Sequence, residues 1–302
     1  MKLEIRDDFN LKTASESFIE YLDVCDNSLK TYEKEIKYFI EWLSDNNIKY
    51  PSRTDFRKFR DELKERKGIH TTNSYLTPVR LLFRYLELNK IYDDITEGIK
   101  NIKTNNIPKK QTLTLEQMQM MAEKLDDPRD KAIFSLAITT GMRISEIVNS
   151  KLEDIKLYNG DMCLFFKGKG YEDKSSYVKL SPQTIDIINK YIEQRSNKDC
   201  KYIFASEGNR NARGNHLTEK TGRLIIKNIF KKFGIEENQF SAHSMRRSCA
   251  TLVYKETKDI MAVKNLLRHK SIQTTQRYIA QITRDDDKSE YIASNLVFGV
   301  QQ

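Results

Sequence analysis

The chain has 302 residues, and its 52 Lys and Arg against 43 Asp and Glu give a formal charge of +9. That length allows two domains, each with its own core, and the basic balance favours acidic partners, nucleic acid first. The start, MKLEIRDDFN, lacks the apolar core of a signal peptide, no stretch approaches the roughly 18 apolar residues of a membrane span, and Cys25, Cys163, Cys200 and Cys249 form neither a CxxC pair nor a Cys/His zinc spacing. A cytoplasmic protein with free thiols and no bound metal is therefore expected.

From residue 11 to about 90 apolar residues recur at helical spacing. Leu29, Tyr32, Ile36, Phe39 and Leu43 follow a predicted Ser28 cap, and YLTPVRLLFRYLEL, residues 75 to 88, forms a second such run in which Pro78 starts or kinks the helix. Between them SRTDFRKFRDELKERK reads as a strongly basic helix. About four helices with no strand signal predict a small helical domain over 1–95. Residues 96–112, TEGIKNIKTNNIPKKQT, lose the apolar period and have the composition of a linker.

The second domain, 113–302, opens with a helix capped by Thr114 and Gln117 in a capping box. DDPRDKAIFSLAITTG is the next, with Asp127 as cap, Pro128 in the first turn and Gly141 as stop. LEDIKL, MCLFF and SYVKL read as strands of a small antiparallel sheet, the last two joined by the turn-rich KGKGYEDKS. Helices follow from Ser181 and Pro182 through Ile192, from Leu224 to Phe233, and over 243–256, 259–268 and through 278. The fold class is thus mainly α, with one small sheet. No Gly-rich phosphate loop or Walker motif occurs, so no cofactor is expected.

Tyr278 closes the polar run SIQTTQRY, whose residues offer no wide apolar face to bury a tyrosine. Four stretches give it company: TTGMRISEI with Arg143, FFKGKGYEDK with Lys169, SAHSMRRS with His243 and Arg246, and LLRHKSIQTTQRY with His269 and Tyr278. Together, in this order and with nine residues from His269 to Tyr278, they resemble the active-site motifs of the tyrosine recombinase family, nearest in layout to the Xer recombinases and phage-type integrases. The resemblance spans about 113–280, and the helical first domain fits the family's SAM-like core-binding domain.

The chemistry gives these residue types a reason to meet. A tyrosine hydroxyl, with a pKa near about 10, attacks a phosphodiester only if its charge is stabilised or its proton removed. Arg143 and Arg246 can hold the non-bridging oxygens and stabilise a pentacoordinate transition state where a metal would otherwise be needed. His243, three residues before Arg246, can share its face of a helix start. The resemblance implies that Lys169, on a hairpin tip between two glycines, protonates the leaving 5′ oxygen, with Lys167 and Lys174 as local rivals. It implies too that His243 assists proton transfer around Tyr278, that His269 donates to the phosphate, and that Glu146 orients Arg143. Attack by Tyr278 would store the bond as a 3′-phosphotyrosyl link that a second strand can reseal.

The implied function is site-specific recombination of double-stranded DNA by a homotetramer on two sites, through a Holliday junction, with any accessory protein unidentified. A type IB topoisomerase, which reseals the same strand, and a DNA-binding regulator without turnover are the alternatives. Two residues depart from the pattern: Arg247 stands where a histidine often follows the second arginine, and Arg268 where a glycine often precedes the later histidine. In the tail 285–302, Tyr291, Ile292, Leu296, Val297 and Phe298 form an apolar cluster that either completes its own domain or, as in the family, docks on a neighbouring protomer.

Overall fold

In the computed structural model the chain divides into two compact units, Met1–Asn106 and Ile107–Gln302. The structure describes residues 9–103, 111–168, 173–206, 216–236, 238–276, 279 and 289–299.

Among the described residues the first unit has four helices, α1 (Leu11–Tyr21), α2 (Asp26–Asp45), α3 (Arg53–Lys67) and α4 (Ile69–Leu88). Their apolar stripes close on one core that includes Phe18, Ile36, Phe39, Phe56, Leu76 and Phe83. α2 starts ahead of the predicted Ser28 cap: Cys25 is the N-cap, and Ser28 lies inside the first turn with its N–H on the Cys25 carbonyl at 2.8 Å. α3 has a capping box, Ser52 and Asp55 each receiving the other's N–H. Pro78 is buried within α4 and does not begin it, so the helix tolerates one lost hydrogen bond.

Part of the stretch read from composition as a linker packs on this first unit. Ile99 is 8 % exposed, Asn73 exchanges two hydrogen bonds with the Ile102 backbone at 2.9 and 3.0 Å, and Arg80 donates to the Ile99 carbonyl at 2.8 Å. A polar composition hid this because side chains of α4 supply the partners.

The second unit begins with α5 (Leu115–Lys124), capped by Thr114 and Gln117, and α6 (Pro128–Thr140), capped by Asp127 and stopped by Gly141 at φ +60. α6 is apolar almost all round and runs through the core, where α8 (Pro182–Gln194), α9 (Glu219–Lys232) and α10 (Ala242–Thr257) pack against it. α9 begins before the predicted Leu224, because Thr218 accepts from the Thr221 N–H and caps it there. A short helix, α7 (Ile144–Val148), and a 3-10 turn over Leu152–Asp154 lead into an antiparallel sheet in the order β1 (Ile155–Tyr158), β2 (Asp161–Phe166), β3 (Ser176–Lys179). Leu164 sits between Ile155 and Val178 in register and faces the core. β1 turns into β2 through Asn159 and Gly160, both at positive φ, as a two-residue hairpin requires.

α11 (Ile260–Leu267) follows α10, residues 272–276 are helical, and a last helix covers Ser289–Phe298. None of that last helix is buried: Leu296 and Phe298 are 82 % and 81 % exposed. Among the described residues no helix is long and apolar enough to cross a membrane.

Candidate active site

The turn between α6 and α7 is built locally and then locked from a distance. A Cβ at Gly141 would stand 3.2 Å from the Leu267 side chain, so glycine both reverses the chain and admits the end of α11. Two residues on, Arg143 is the N-cap of α7. The buried Glu146 carboxylate accepts from its backbone N–H at 2.8 Å and its guanidinium at 2.7 Å, so one group caps the helix and aims the arginine. Gly222 lets α9 press on α7: a Cβ there would stand 2.9 Å from both Ile144 and Val148.

Arg246 lies one turn after His243 in α10 and is only 1 % exposed. A buried guanidinium needs partners. It donates to the carbonyls of Gly141 and Leu267, at the C-terminal ends of α6 and α11, where the helix dipoles favour a cation. Arg143, His243 and Arg246 share the wall of a cavity of about 470 Å³ with Arg223 and Lys227 of α9. A second cavity, about 270 Å³, is lined by Arg143, Glu146, Phe166, Gly168, Arg268 and His269. Arg143 borders both.

His269 follows α11, with Nδ1 3.0 Å from Oγ1 of the fully buried Thr275. Burial, together with Arg246, Arg143, His243 and Arg268, pushes its pKa down to about 4. Burial by the surrounding protein, then Arg246, Arg247 and Arg143, also holds His243 below the ordinary histidine value, although part of its ring surface stays open to solvent. Both rings are neutral at pH 7, and each can therefore donate at one nitrogen and accept at the other.

The structure thus brings Arg143, His243, Arg246 and His269 together, while Lys169 and Tyr278 lie outside the described residues. Of the rival lysines, Lys174 is engaged elsewhere: its Nζ sits 2.6 and 2.7 Å from the two oxygens of the buried Asp154. Lys167 is exposed at the end of β2. Sequence reasoning missed Thr275 and Gly222. The helical spacing of Thr275 and the buried Ile279 was the available signal for the first; for the second no local signal existed, since its neighbours come from α7. Among the described residues no group of three or more His, Cys, Asp or Glu could hold a metal ion.

Residues 108–284 match the model of the phage integrase family, and residues 16–90 match that of the phage integrase N-terminal SAM-like domain. The chain belongs to the phage integrase family. This recombinase is 27 % identical over 287 residues to tyrosine recombinase XerD of Listeria monocytogenes, covering 87 % of this chain and 92 % of that one. It is 28 % identical over 270 residues to tyrosine recombinase XerA of Pyrococcus horikoshii, covering 89 % of each. Its fold resembles that of XerH site-specific recombinase in a post-cleavage complex with a palindromic difH substrate, with TM-score 0.74 and 21 % identity over 95 % of this chain and 84 % of the other. A lambda integrase dimer bound to a COC′ core site matches with TM-score 0.69 and 16 % identity over 89 % and 77 %. The recombinase is accordingly an enzyme of site-specific DNA recombination, and neither the topoisomerase nor the inactive regulator is favoured.

Proposed function

We propose that the recombinase cuts and rejoins double-stranded DNA sites through a 3′-phosphotyrosyl bond to Tyr278. The observation that carries this reading is the convergence of Arg143, His243, Arg246 and His269 from three separate segments onto two adjoining cavities. Arg143 and Arg246 hold the non-bridging oxygens of the scissile phosphate. The Tyr278 hydroxyl oxygen bonds to phosphorus as the bond to the 5′ oxygen breaks; its proton passes to neutral His243, and Lys169 protonates the departing 5′ oxygen. With the Thr275 hydroxyl donating to Nδ1, His269 keeps its proton on Nε2 and offers it to the phosphate. The 5′ hydroxyl of another strand reverses the step, and no metal or cofactor takes part.

Residues 1–95 act as the core-binding domain and 113–302 as the catalytic domain, with the site in the cytoplasm's DNA as substrate. The exposed Arg53, Arg57, Lys58, Lys64, Arg66 and Lys67 of α3 support phosphate contacts from the first unit. Four protomers on two sites exchange strands in pairs through a Holliday junction. Support for assembly comes from Ser289–Phe298, whose Tyr291, Ile292, Leu296, Val297 and Phe298 are all exposed and fit docking on a neighbouring copy.

A nicked suicide substrate tests the chemistry. The parent chain should give a protein–DNA adduct on a denaturing gel, with or without EDTA, while Tyr278→Phe should give none and still bind the site. An adduct from that variant would assign the nucleophile to another residue.

A further inference from the structure

Arg268 occupies a position that disfavours it. It is the C-cap of α11 in the left-handed region, φ +54 and ψ 43, where a residue with a Cβ is strained. Its side chain nevertheless turns inward and is 17 % exposed. The guanidinium donates to the Leu266 carbonyl at 2.7 Å, to the Thr140 and Gly141 carbonyls at 3.2 and 3.4 Å, and to Glu146 Oε2 at 3.5 Å. It also lies over the Phe166 ring, 5.1 Å from the centroid. One planar group thereby reaches the ends of α6 and α11, the first turn of α7 and the last residue of β2.

The contact with Glu146 gives this lock its consequence. The same carboxylate oxygen, Oε2, receives the Arg143 backbone N–H, and Oε1 receives the Arg143 guanidinium. On the other side, Arg268 is joined by one peptide bond to His269. A chain of direct contacts therefore runs from His269 through Arg268 and Glu146 to Arg143, across 122 residues of sequence between Arg268 and Glu146. Arg246 bridges the same two helix ends through the Gly141 and Leu267 carbonyls, and Arg268 adds to that bridge the contact with the Glu146 carboxylate that holds Arg143.

We propose that Arg268 is a positioning residue of the recombinase: it clamps Glu146, and through it Arg143, to the segment carrying His269, so that two phosphate-binding groups keep one fixed spacing. This rests on the assignment of Arg143 and His269 as phosphate ligands. Arg268 contributes through geometry rather than by its own charge at the reacting atoms, since its guanidinium is engaged by the Leu266, Thr140 and Gly141 carbonyls and by Glu146.

Single-turnover cleavage of a suicide substrate at saturating protein, with equilibrium binding measured in parallel, tests it on the full chain. Arg268→Gly relieves the backbone strain while removing the clamp, and should slow cleavage about tenfold or more with site affinity held within about twofold. Arg268→Asn, which tolerates the left-handed region, should repeat the result and guards against a folding defect of the glycine variant. In an Arg143→Lys background, already slow, Arg268→Gly should add less than about a twofold further loss, because the group it positions is gone. Equal losses in both backgrounds, or a fall in affinity that accounts for the slower cleavage, would overturn the positioning role and leave the site assignment intact. Cleavage by Arg143→Lys alone at the parent rate would instead sink the assignment of Arg143, and the clamp with it.

Discussion

Inside the first unit Phe39 lies between 4.8 and 6.4 Å, ring centre to ring centre, from Trp42, Phe56, Phe59 and Phe83. Among the described residues the one carboxylate buried there, Glu35, accepts from the Ser74 hydroxyl at 2.8 Å. Inside the second unit lie Arg246, Arg195, Glu146 and Asp154, held by hydrogen bonds to backbone carbonyls or to a charged partner, and Thr275, whose hydroxyl meets the His269 ring. An apolar interior depends on volume and shape. A polar interior depends on every partner being present, because a single missing one leaves a buried charge or carbonyl unsatisfied. The second unit accepts part of that burden where Arg143, Arg246 and Arg268 gather around the two cavities with the Glu146 carboxylate buried among them.

Breaking each interior in turn should separate the two kinds of dependence. The largest effect on stability is expected from Phe39→Ala, a loss of about 3–5 kcal/mol from the first unit as a cavity opens among the aromatic rings. Denaturant unfolding should register it, while the folded fraction forms the covalent adduct at the parent rate once bound. A slowed adduct step at saturating protein would show that the aromatic core reaches the chemistry.

Arg246→Ala should do the reverse. Loss of one phosphate ligand is expected to raise the cleavage barrier by about 3–4 kcal/mol, as for an oxyanion donor. Leaving the Gly141 and Leu267 carbonyls without this donor should destabilise the second unit by a further ~1–3 kcal/mol. Urea unfolding alongside cleavage kinetics measures both, and a variant of unchanged stability would contradict the structural half of the assignment.

The smallest effect concerns His269. Its pKa of about 4 in the folded chain lies below the 6.5 of an unperturbed histidine. Between those values the unfolded chain binds a proton that the folded chain refuses, so this contribution to stability is complete above about pH 6.5 and is lost as the pH falls toward 4. An NMR titration of the imidazole should find the midpoint near 4, and a midpoint near 6.5 would mean that the surrounding arginines and burial do not act on the ring as described.

Much of the fold was legible because its signals are local. Thr114 with Gln117, Asp127 with Pro128, Ser181 with Pro182 and the stop at Gly141 all work within four residues, and the three strands follow from side-chain alternation and turn composition. Arg143, His243, Arg246 and His269 could be singled out as candidates for a related reason, each being set in a short motif whose residue types suit one chemistry, and the fold brings them to adjoining cavities. The Ser28 cap failed at the same local level, since Cys25 begins α2 three residues earlier without a side-chain cap bond.

What sequence alone determined, then, is the order of helices and strands and the chemical types available to the site. Tertiary structure decided which of those groups are committed and which are aimed. Lys174 is taken by Asp154, twenty residues before it; Arg246 reaches a carbonyl 105 residues away; Arg268 meets Glu146 across 122. Residues 96–103 join the first unit through Asn73 and Arg80, and Thr275 is buried against His269 although its own neighbours are polar. Each of these depends on contacts between segments far apart in the chain, where a side chain's worth is set by the partner the fold brings to it and by the water the fold removes, and no periodicity or cap within a few residues carries that information.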